Sequence, residues 1–182
     1  MHPQTQNRIW TIGHSTMPIA DFLDLLRRSG IEIIVDVRTA PYSRFAPQFN
    51  KLDLHDALRR NSIVYQFEGE RLGGRPSDPT CYRSGVVPDH AQREEFLKLV
   101  DYEAVKQKDW FQTGLTEVMA ASRDHRVALL CSEENPLECH RHRLIASALQ
   151  ERDVDVLHIR KDGTVQVAVF STQPELVQTA LF

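Results

Sequence analysis

The sequence predicts an α/β domain built on a mostly parallel sheet. Short apolar segments rich in β-prone residues alternate with segments whose apolar residues have the spacing of a helix. The first strand–helix–strand unit takes about thirty residues, the length typical of a βαβ unit with a right-handed crossover. We therefore expect a three-layer, Rossmann-like fold with helices on both faces of the sheet.

The composition is that of one ordinary globular domain. The chain has 182 residues, of which 41% are hydrophobic and 26% charged, so we expect a single domain over residues 1–182. A net charge of −3 argues against a broadly basic nucleic-acid-binding surface, but it is compatible with a local basic patch. No apolar run approaches the roughly 18 residues of a transmembrane span, and the N-terminus lacks the apolar core of a signal peptide. These observations predict a cytoplasmic protein with no membrane contact and with reduced cysteines.

The N-terminal segments justify the βαβ prediction one by one. Residues 9–13 are apolar and β-prone, and residues 19–28 carry apolar side chains at helical spacing. Gly30 suits the C-terminal cap of that helix. Residues 31–37 then form an apolar run that contains Asp36, which is typical of a buried strand in a parallel sheet.

The rest of the chain continues the alternation. In order, we expect a helix over 52–60, a strand over 63–67, a loop over 68–87, two helices within 91–122 that meet near 108–110, a strand over 127–131, a helix over 141–152, a strand over 154–159, and an edge strand over 164–170 after a hairpin turn at Asp162 and Gly163.

Polar side chains follow three of the predicted strands. They are His14 and Ser15 after the first, Asp36, Arg38, Ser43 and Arg44 at and after the second, and Cys131, Glu133, Cys139, His140 and Arg141 at and after the strand over 127–131. Ligands bind beyond the carboxyl ends of parallel strands, and these ends share one edge of the sheet. The convergence is the main functional signal in the sequence.

Cys139, His140 and Arg141 come directly before the helix over 141–152 and at its start. Free backbone N–H groups and the helix dipole at such a position attract anions and lower the pKa of a cysteine. Arg141 adds a forked donor for phosphate or carboxylate, although it equally suits a structural anchor. This arrangement predicts Cys139 as a thiolate nucleophile, whereas Cys131 fits a small core residue.

Zinc is an alternative use of the same segment. Cys131, Cys139 and His140 have the spacing C-x7-C-H, with Glu133 between the cysteines and His14 as a further donor. The pattern lacks the paired C-x2-C knuckle and a clear fourth ligand. We therefore predict no metal site, and the sequence names no cofactor.

His14 and Asp36 are the other candidates for acid–base chemistry. The hydroxyls of Ser15 and Thr16 suit the N-terminal cap of the first helix, which leaves His14 facing the site edge. A buried carboxylate needs a partner. Arg38 lies two residues on, on the same strand face as Asp36, so the two form either a structural pair or a site in which Asp36 orients His14.

Two loops complete the candidate site. Ser43 and Arg44 belong to a polar and aromatic loop that could line a pocket. Gly73 and Gly74 lie between two arginines, where flexible backbone could hold a phosphate.

The motifs together resemble one known family. They are Thr11-Ile12-Gly13-His14-Ser15, Val35-Asp36-Val37-Arg38 with Pro41 and Ser43, Leu72-Gly73-Gly74, Leu130-Cys131-Ser132-Glu133, Cys139-His140-Arg141 and Val156-Leu157-His158-Ile159. In this order, over residues 9–159, they resemble the domain of unknown function 488 family. The resemblance implies an intracellular bacterial or archaeal domain without an established general activity. It implies a shared site of His14, Asp36, Arg38, Ser43, Gly73, Gly74, Cys131, Glu133, Cys139, His140 and Arg141, but no reaction.

Three functions fit these residues. The first is an enzyme acting on an anionic small molecule or nucleotide-like group, with Cys139 as nucleophile or redox thiol, His14 or His140 as acid or base, and Arg38, Arg44 and Arg141 as anion binders. The second is a non-catalytic nucleic-acid or nucleotide-binding module, with a face of Arg38, Arg44, Arg71, Arg75, Arg83 and Arg141 and stacking by Tyr42, Phe45, Phe49 and Tyr82. The third is a structural or partner-binding protein in which the polar residues hold the loops together.

Overall fold

The fold is described from a computed structural model, which covers residues 7–89 and 96–170. Within these residues one mixed sheet contains six strands in the order β3-β2-β4-β1-β5-β6. Its strands are β1 (Arg8–Gly13), β2 (Ile33–Asp36), β3 (Val64–Phe67), β4 (Val127–Cys131), β5 (Asp155–Ile159) and β6 (Val165–Val167). Strands β1 to β5 all run parallel to one another, and β6 pairs antiparallel with β5. The predicted α/β class with a mostly parallel sheet is confirmed.

Helices connect the strands. They are α1 (Ile19–Arg28), α2 (Lys51–Arg60), α3 (Gly69–Leu72), α4 (Phe96–Leu99), α5 (Tyr102–Lys106), α6 (Asp109–Ala121), and a π-helix (Arg141–Ala146) that continues into α7 (Ser147–Gln150). None of the helices in the described part of the chain has the length and hydropathy that a transmembrane span requires.

Two turns predicted from glycine positions, after α1 and between β5 and β6, have the expected backbone geometry. Gly30 has a positive φ of 62° directly after Ser29, the C-cap of α1, and this is the left-handed geometry that ends a helix. The turn between β5 and β6 has Gly163 at a φ of 85°, and the Arg160 N–H donates to the Thr164 carbonyl across it at 2.9 Å. The predicted hairpin and edge strand are therefore confirmed.

The helix expected over 141–152 is present, but it begins as a π-helix, an irregularity that propensity does not signal and that is frequent at functional sites. Two other expectations about local structure were wrong. Ser15 and Thr16 do not cap α1, because Pro18 occupies the cap position without a side-chain bond and Ser15 has a left-handed φ of 47°. The expected loop over 68–87 contains α3 and a short 3₁₀ turn (Pro79–Cys81). The start of the expected helical segment, residues 91–95, lies outside the described residues.

The core consists of two clusters that take alternate residues of the strands. Val127 and Leu129 belong to a cluster with residues of α6, whereas Ala128 and Leu130 belong to a cluster with residues of α1 and α2. Every residue of β4 is buried, as expected for a strand between two neighbours. This packing fixes the carboxyl ends of β1, β2 and β4 as adjacent rigid points.

Gly13 ends β1 against the loop that follows β4. A Cβ at this position would lie 1.7 Å from the carbonyl oxygen of Glu133 and 2.9 Å from the Cα of Glu134. We expect Gly13→Ala to lower the free energy of unfolding by about 3 kcal/mol or more, because backbone must move to relieve the overlap. Urea denaturation measures the change, and a variant with the wild-type midpoint would contradict the close approach.

Candidate active site

The three strand ends meet at one edge of the sheet, as the sequence predicts. Gly13 of β1 is in register with Cys131 of β4, and the His14 N–H donates to the Cys131 carbonyl at 3.0 Å. Asp36 of β2 is in register with Leu130, and the next N–H, of Val37, donates to the Leu130 carbonyl at 3.1 Å. The chain positions of these residues are far apart, so the sheet itself assembles the site.

A buried network joins β2 to the end of β1. Arg38 donates to both carboxylate oxygens of Asp36, from Nε at 2.8 Å and from Nη2 at 2.6 Å. Its Nη1 donates to His14 Nε2 at 3.0 Å, and the Tyr65 hydroxyl donates to Asp36 Oδ2 at 2.7 Å. The side chains of Asp36 and Arg38 are 0% and 4% exposed. Arg38 therefore stands between Asp36 and His14, and Asp36 orients His14 only through it.

His14 is held as a neutral ring with a defined tautomer. Its Nδ1 lies 2.7 Å from the Ser15 carbonyl, which only accepts, and its Nε2 faces Arg38, which only donates. The proton is therefore on Nδ1. Burial and the charge of Arg38 lower the pKa of His14 to about 4, and Phe49 stacks on the ring at 4.2 Å between centroids. With Nε2 already bonded, the ring suits a positioning role better than that of a general base.

A second buried imidazole lies on β5. His158 Nδ1 shares a hydrogen bond of 2.7 Å with the Thr11 hydroxyl, and its Nε2 shares one of 3.0 Å with His142 Nδ1. Burial, followed by the charges of His142 and nearby arginines, lowers the pKa of His158 to about 3.

These two imidazoles should make stability depend on pH. In the unfolded chain each ring takes up a proton near its ordinary pKa of 6.5, whereas in the fold His14 does so only near 4 and His158 only near 3. The contribution of the two neutral rings to the free energy of unfolding is therefore fully present above pH 6.5. It is lost as the pH falls from 6.5 towards the folded-state pKa values of about 4 and about 3. At about 1.4 kcal/mol per pH unit, we expect each ring to remove roughly 2 kcal/mol between pH 7.5 and 5.

Chemical denaturation at a series of pH values tests this prediction. On the acid side of the curve of unfolding free energy against pH, which we call the acid limb, His158→Gln should reduce the slope by the contribution of one proton. The exposed His55 provides the matched control, and His55→Gln should leave the acid limb unchanged. A wild-type acid limb as shallow as that of His158→Gln would contradict the expectation.

Cys131, Cys139 and His140 form a compact group, which we call the thiol cluster. Their side-chain ligand atoms, the two Sγ and one ring nitrogen, lie within 4.8 Å of one another. His140 Nδ1 is 3.7 Å from Cys131 Sγ and 3.8 Å from Cys139 Sγ. Its Nε2 donates to the Val37 carbonyl at 3.0 Å, which turns Nδ1 towards the thiols. All three side chains are buried.

The pKa values of the two thiols are shifted in the directions opposite to those expected from the sequence, since that of Cys131 is lowered and that of Cys139 is raised. A hydrogen bond from Cys139, together with His140 and Arg141, holds the pKa of Cys131 well below its ordinary value. Burial and the neighbouring Cys131 raise the pKa of Cys139, although the Arg141 N–H contacts its Sγ at 3.4 Å. Two thiols this close do not both ionise readily, and the position of His140 and Arg141 makes Cys131 the one that ionises first. Arg141 at the helix start does lower the pKa of Cys139, as predicted, but burial and Cys131 outweigh it, so the predicted net lowering was wrong and Cys131 is the candidate nucleophile.

Arg141 is a structural anchor. Its side chain is fully buried; Nη2 donates to the Glu134 carbonyl at 2.7 Å, Nη1 to the Glu133 carbonyl, and Nε to the Thr11 hydroxyl at 3.3 Å. These bonds fix the loop after β4 over the end of β1. With its donors directed at protein oxygens, Arg141 has no group turned to a substrate.

The remaining predicted residues line the edge of the site in different ways. Gly74 packs on the His140 ring, since a Cβ there would lie 2.6 Å from Cγ, and Gly73 packs against the Gly69 carbonyl. The Ser43 hydroxyl accepts two backbone N–H bonds and shapes its own turn. Glu133 is exposed, and partial desolvation and the Cys131 charge raise its pKa.

The exposed residues do not form the pocket that was expected. Arg44 is exposed and lies over the Phe45 ring at 4.7 Å, on the surface. A cavity of about 550 Å³ lies instead at the end of β5. It is lined by Glu134, Arg160, Lys161, Asp162, Thr164 and Gln166, none of which is a predicted site residue.

The predicted nucleic-acid face is largely taken up by other contacts. Phe49 and Tyr82 are buried, as are Arg38 and Arg141, so these four are not exposed for stacking or phosphate contact. Arg71 is ion-paired with both Glu68 and Glu117.

Two tyrosines that the sequence did not single out, Tyr65 and Tyr102, belong to the site, together with Arg75, which the sequence placed only beside the two glycines and in the predicted basic face. Tyr65 bonds Asp36 from β3, and Tyr102 places a buried hydroxyl, without a hydrogen-bond partner among the described residues, near the thiol cluster. Burial and the charge of Cys139 raise the pKa of Tyr102. Arg75 is exposed next to Gly74, and its charge acts on the Glu133 carboxyl. No local pattern in the sequence pointed to Tyr65 or Tyr102 as site residues.

Comparison with known proteins agrees with the pattern of motifs. Residues 18–149 match the profile of a family described as domain of unknown function DUF488. No curated protein and no solved structure matches the chain. The match covers most of the chain, from the start of α1 to the end of α7, and takes in Asp36, Arg38 and the thiol cluster. The chain belongs to the DUF488 family.

Proposed function

We propose that the chain is an enzyme whose reactive group is the Cys131 thiol, acting on a small anionic or nucleotide-like substrate. The observation that carries the proposal is the thiol cluster: two thiols and an imidazole nitrogen within 4.8 Å at the carboxyl edge of a parallel sheet. Folds of this class bind substrates at that edge. The packing of alternate strand residues into two clusters further supports a three-layer, Rossmann-like arrangement.

His140 is the general base of the proposed reaction. Its Nε2–H is bonded to Val37, so Nδ1 presents its lone pair to the Cys131 thiol at 3.7 Å. His140 takes the thiol proton as sulfur forms a bond to an electrophilic atom of the substrate. The bond to the leaving group breaks, and the leaving group departs with its electron pair and receives the proton from Nδ1. Cys139 stabilises the thiolate by its hydrogen bond.

Arg75 is the proposed contact for the negative charge of the substrate. The guanidinium groups of Arg38 and Arg141 are directed at protein oxygens and at His14, so they do not suit this role. Arg75 is exposed and follows Gly74, whose backbone touches the His140 ring. An exposed arginine on this segment raises the local concentration of anions beside the thiol.

Alkylation with two reagents of similar size tests both the Cys131 nucleophile and the Arg75 anion contact. Iodoacetate is anionic and iodoacetamide neutral, so the ratio of their alkylation rates reports the charge beside the thiol. We expect the wild type to show a rapid phase of alkylation by each reagent, and Cys131→Ser to remove this fast phase. We expect Arg75→Gln to lower the iodoacetate rate by about threefold or more without changing the iodoacetamide rate.

The matched control for the charge effect is Arg60→Gln, an exposed arginine at the end of α2, just before the start of β3 and thus at the opposite edge of the sheet. It should leave both rates unchanged. A fast phase that persists in Cys131→Ser would overturn the nucleophile, and an unchanged ratio in Arg75→Gln would overturn the anion contact.

A further inference from the structure

The thiol cluster has the composition of a soft metal site. Cys131, Cys139 and His140 are 6%, 2% and 7% exposed, and their ligand atoms lie within 4.8 Å of one another. Two thiolates and an imidazole are ligands that zinc prefers, whereas Mg²⁺ and Ca²⁺ prefer oxygen. The sequence argued against zinc because it lacks a C-x2-C knuckle, but the fold provides the proximity that a knuckle provides in other sites.

The groups around the cluster are those that support metal ligands. A ligating histidine usually donates its other N–H to a carbonyl or carboxylate, and His140 Nε2 donates to the Val37 carbonyl at 3.0 Å. The Arg141 N–H lies 3.4 Å from Cys139 Sγ and stabilises negative charge on sulfur. The donor atoms therefore face inward and are already oriented.

Tyr102 supplies an independent observation. Its hydroxyl is buried and has no hydrogen-bond partner among the described residues; burial, and after it charge on Cys139 and Cys131, raises its pKa. A buried hydroxyl without a partner is costly and requires an explanation. A water or anion that completes the coordination of a metal held by three protein ligands would give it a partner.

We propose that Cys131, Cys139 and His140 bind one Zn²⁺ ion and that the bound ion masks the Cys131 thiol. Two thiolates balance the charge of the ion, so a neutral complex forms in the buried site. Binding replaces the S–H bonds with Zn–S bonds and releases the protons to solvent. The regulatory part of this inference rests on the proposed thiol reactivity, whereas the metal site itself does not.

Titration of the reduced, full-length protein with Zn²⁺ against a chromophoric chelator tests the site. We expect one equivalent of zinc, no competition from Mg²⁺, and at least about a tenfold loss of affinity in Cys131→Ser, Cys139→Ser and His140→Gln. Cys81→Ser is the matched control, since Cys81 is a buried cysteine outside the cluster, and it should bind as the wild type does. Co²⁺ bound to the wild type should show a thiolate-to-metal charge-transfer band, a readout that needs no variant.

The outcomes separate this inference from the proposed function. The absence of stoichiometric zinc binding and of the cobalt band, or binding unchanged in Cys131→Ser, overturns the metal site, and rapid alkylation of the metal-free protein would still support the thiol enzyme. Zinc binding with slow alkylation of the metal-free protein supports the metal site and overturns the thiol enzyme. Zinc binding that stops rapid alkylation of Cys131 supports both, whereas rapid alkylation that continues with zinc bound overturns the masking.

Discussion

Replacement of Arg141 with methionine is expected to lower the free energy of unfolding by about 3–5 kcal/mol, one of the two largest effects predicted for a single side chain. Methionine fills much of the volume but donates no hydrogen bond. The carbonyls of Glu133 and Glu134 and the hydroxyl of Thr11 then lose their donor in a buried region. The loop after β4 should loosen, and with it the geometry of the thiol cluster.

The neighbouring Arg143 provides the matched control for this prediction. It is exposed and donates from Nε to the Leu137 carbonyl at 2.7 Å. Arg143→Met should cost no more than about 1 kcal/mol in urea denaturation. Equal effects of the two substitutions would show that Arg141 is not a structural anchor and would make it a candidate substrate contact again.

Asp36→Asn is expected to destabilise the protein by a similar amount, about 3–5 kcal/mol, because it leaves the buried Arg38 charge without its counter-charge. Both oxygens of Asp36 accept bonds from Arg38, and Oδ2 also accepts from Tyr65. An asparagine must turn its NH₂ group towards donors on at least one side. We also expect His14 to lose its fixed orientation, since Arg38 holds its Nε2.

Two controls bracket the effect of Asp36→Asn. Tyr65→Phe removes one hydrogen bond to the carboxylate and should cost about 1 kcal/mol. Asp56→Asn neutralises a half-exposed carboxylate on α2 and should change stability by no more than about 0.5 kcal/mol. If Asp36→Asn proved as mild as Asp56→Asn, the buried pair would not be the structural centre of this edge.

Local sequence patterns predicted the elements whose cause is local. The apolar period of α1, the left-handed glycine at 30 and the turn at Asp162 and Gly163 each depend on a few adjacent residues, and each is confirmed. The π-helix at Arg141–Ala146 was not predicted, because nothing in the short-range pattern distinguishes it from an α-helix of the same residues.

The candidate site was predicted as a set of residues but not as a set of contacts. Topology alone brings the strand ends together, so the convergence of His14, Asp36 and Cys131 followed from the rule for parallel sheets. Which donor meets which acceptor depends on angles that the sequence does not encode locally. In the structure Arg38 therefore lies between Asp36 and His14, and the candidate thiolate is Cys131 where the sequence predicted Cys139.

The most direct test of the reactive thiol cluster is a map of which cysteine iodoacetamide modifies first in the native, metal-free protein. Mass spectrometry of peptides after short exposure at neutral pH gives a rate for each of the three cysteines. The cluster predicts that Cys131 reacts at least about tenfold faster than Cys81, which is also buried but has a pKa raised by burial. Equal rates at Cys131 and Cys81, or first reaction at Cys139, would contradict it.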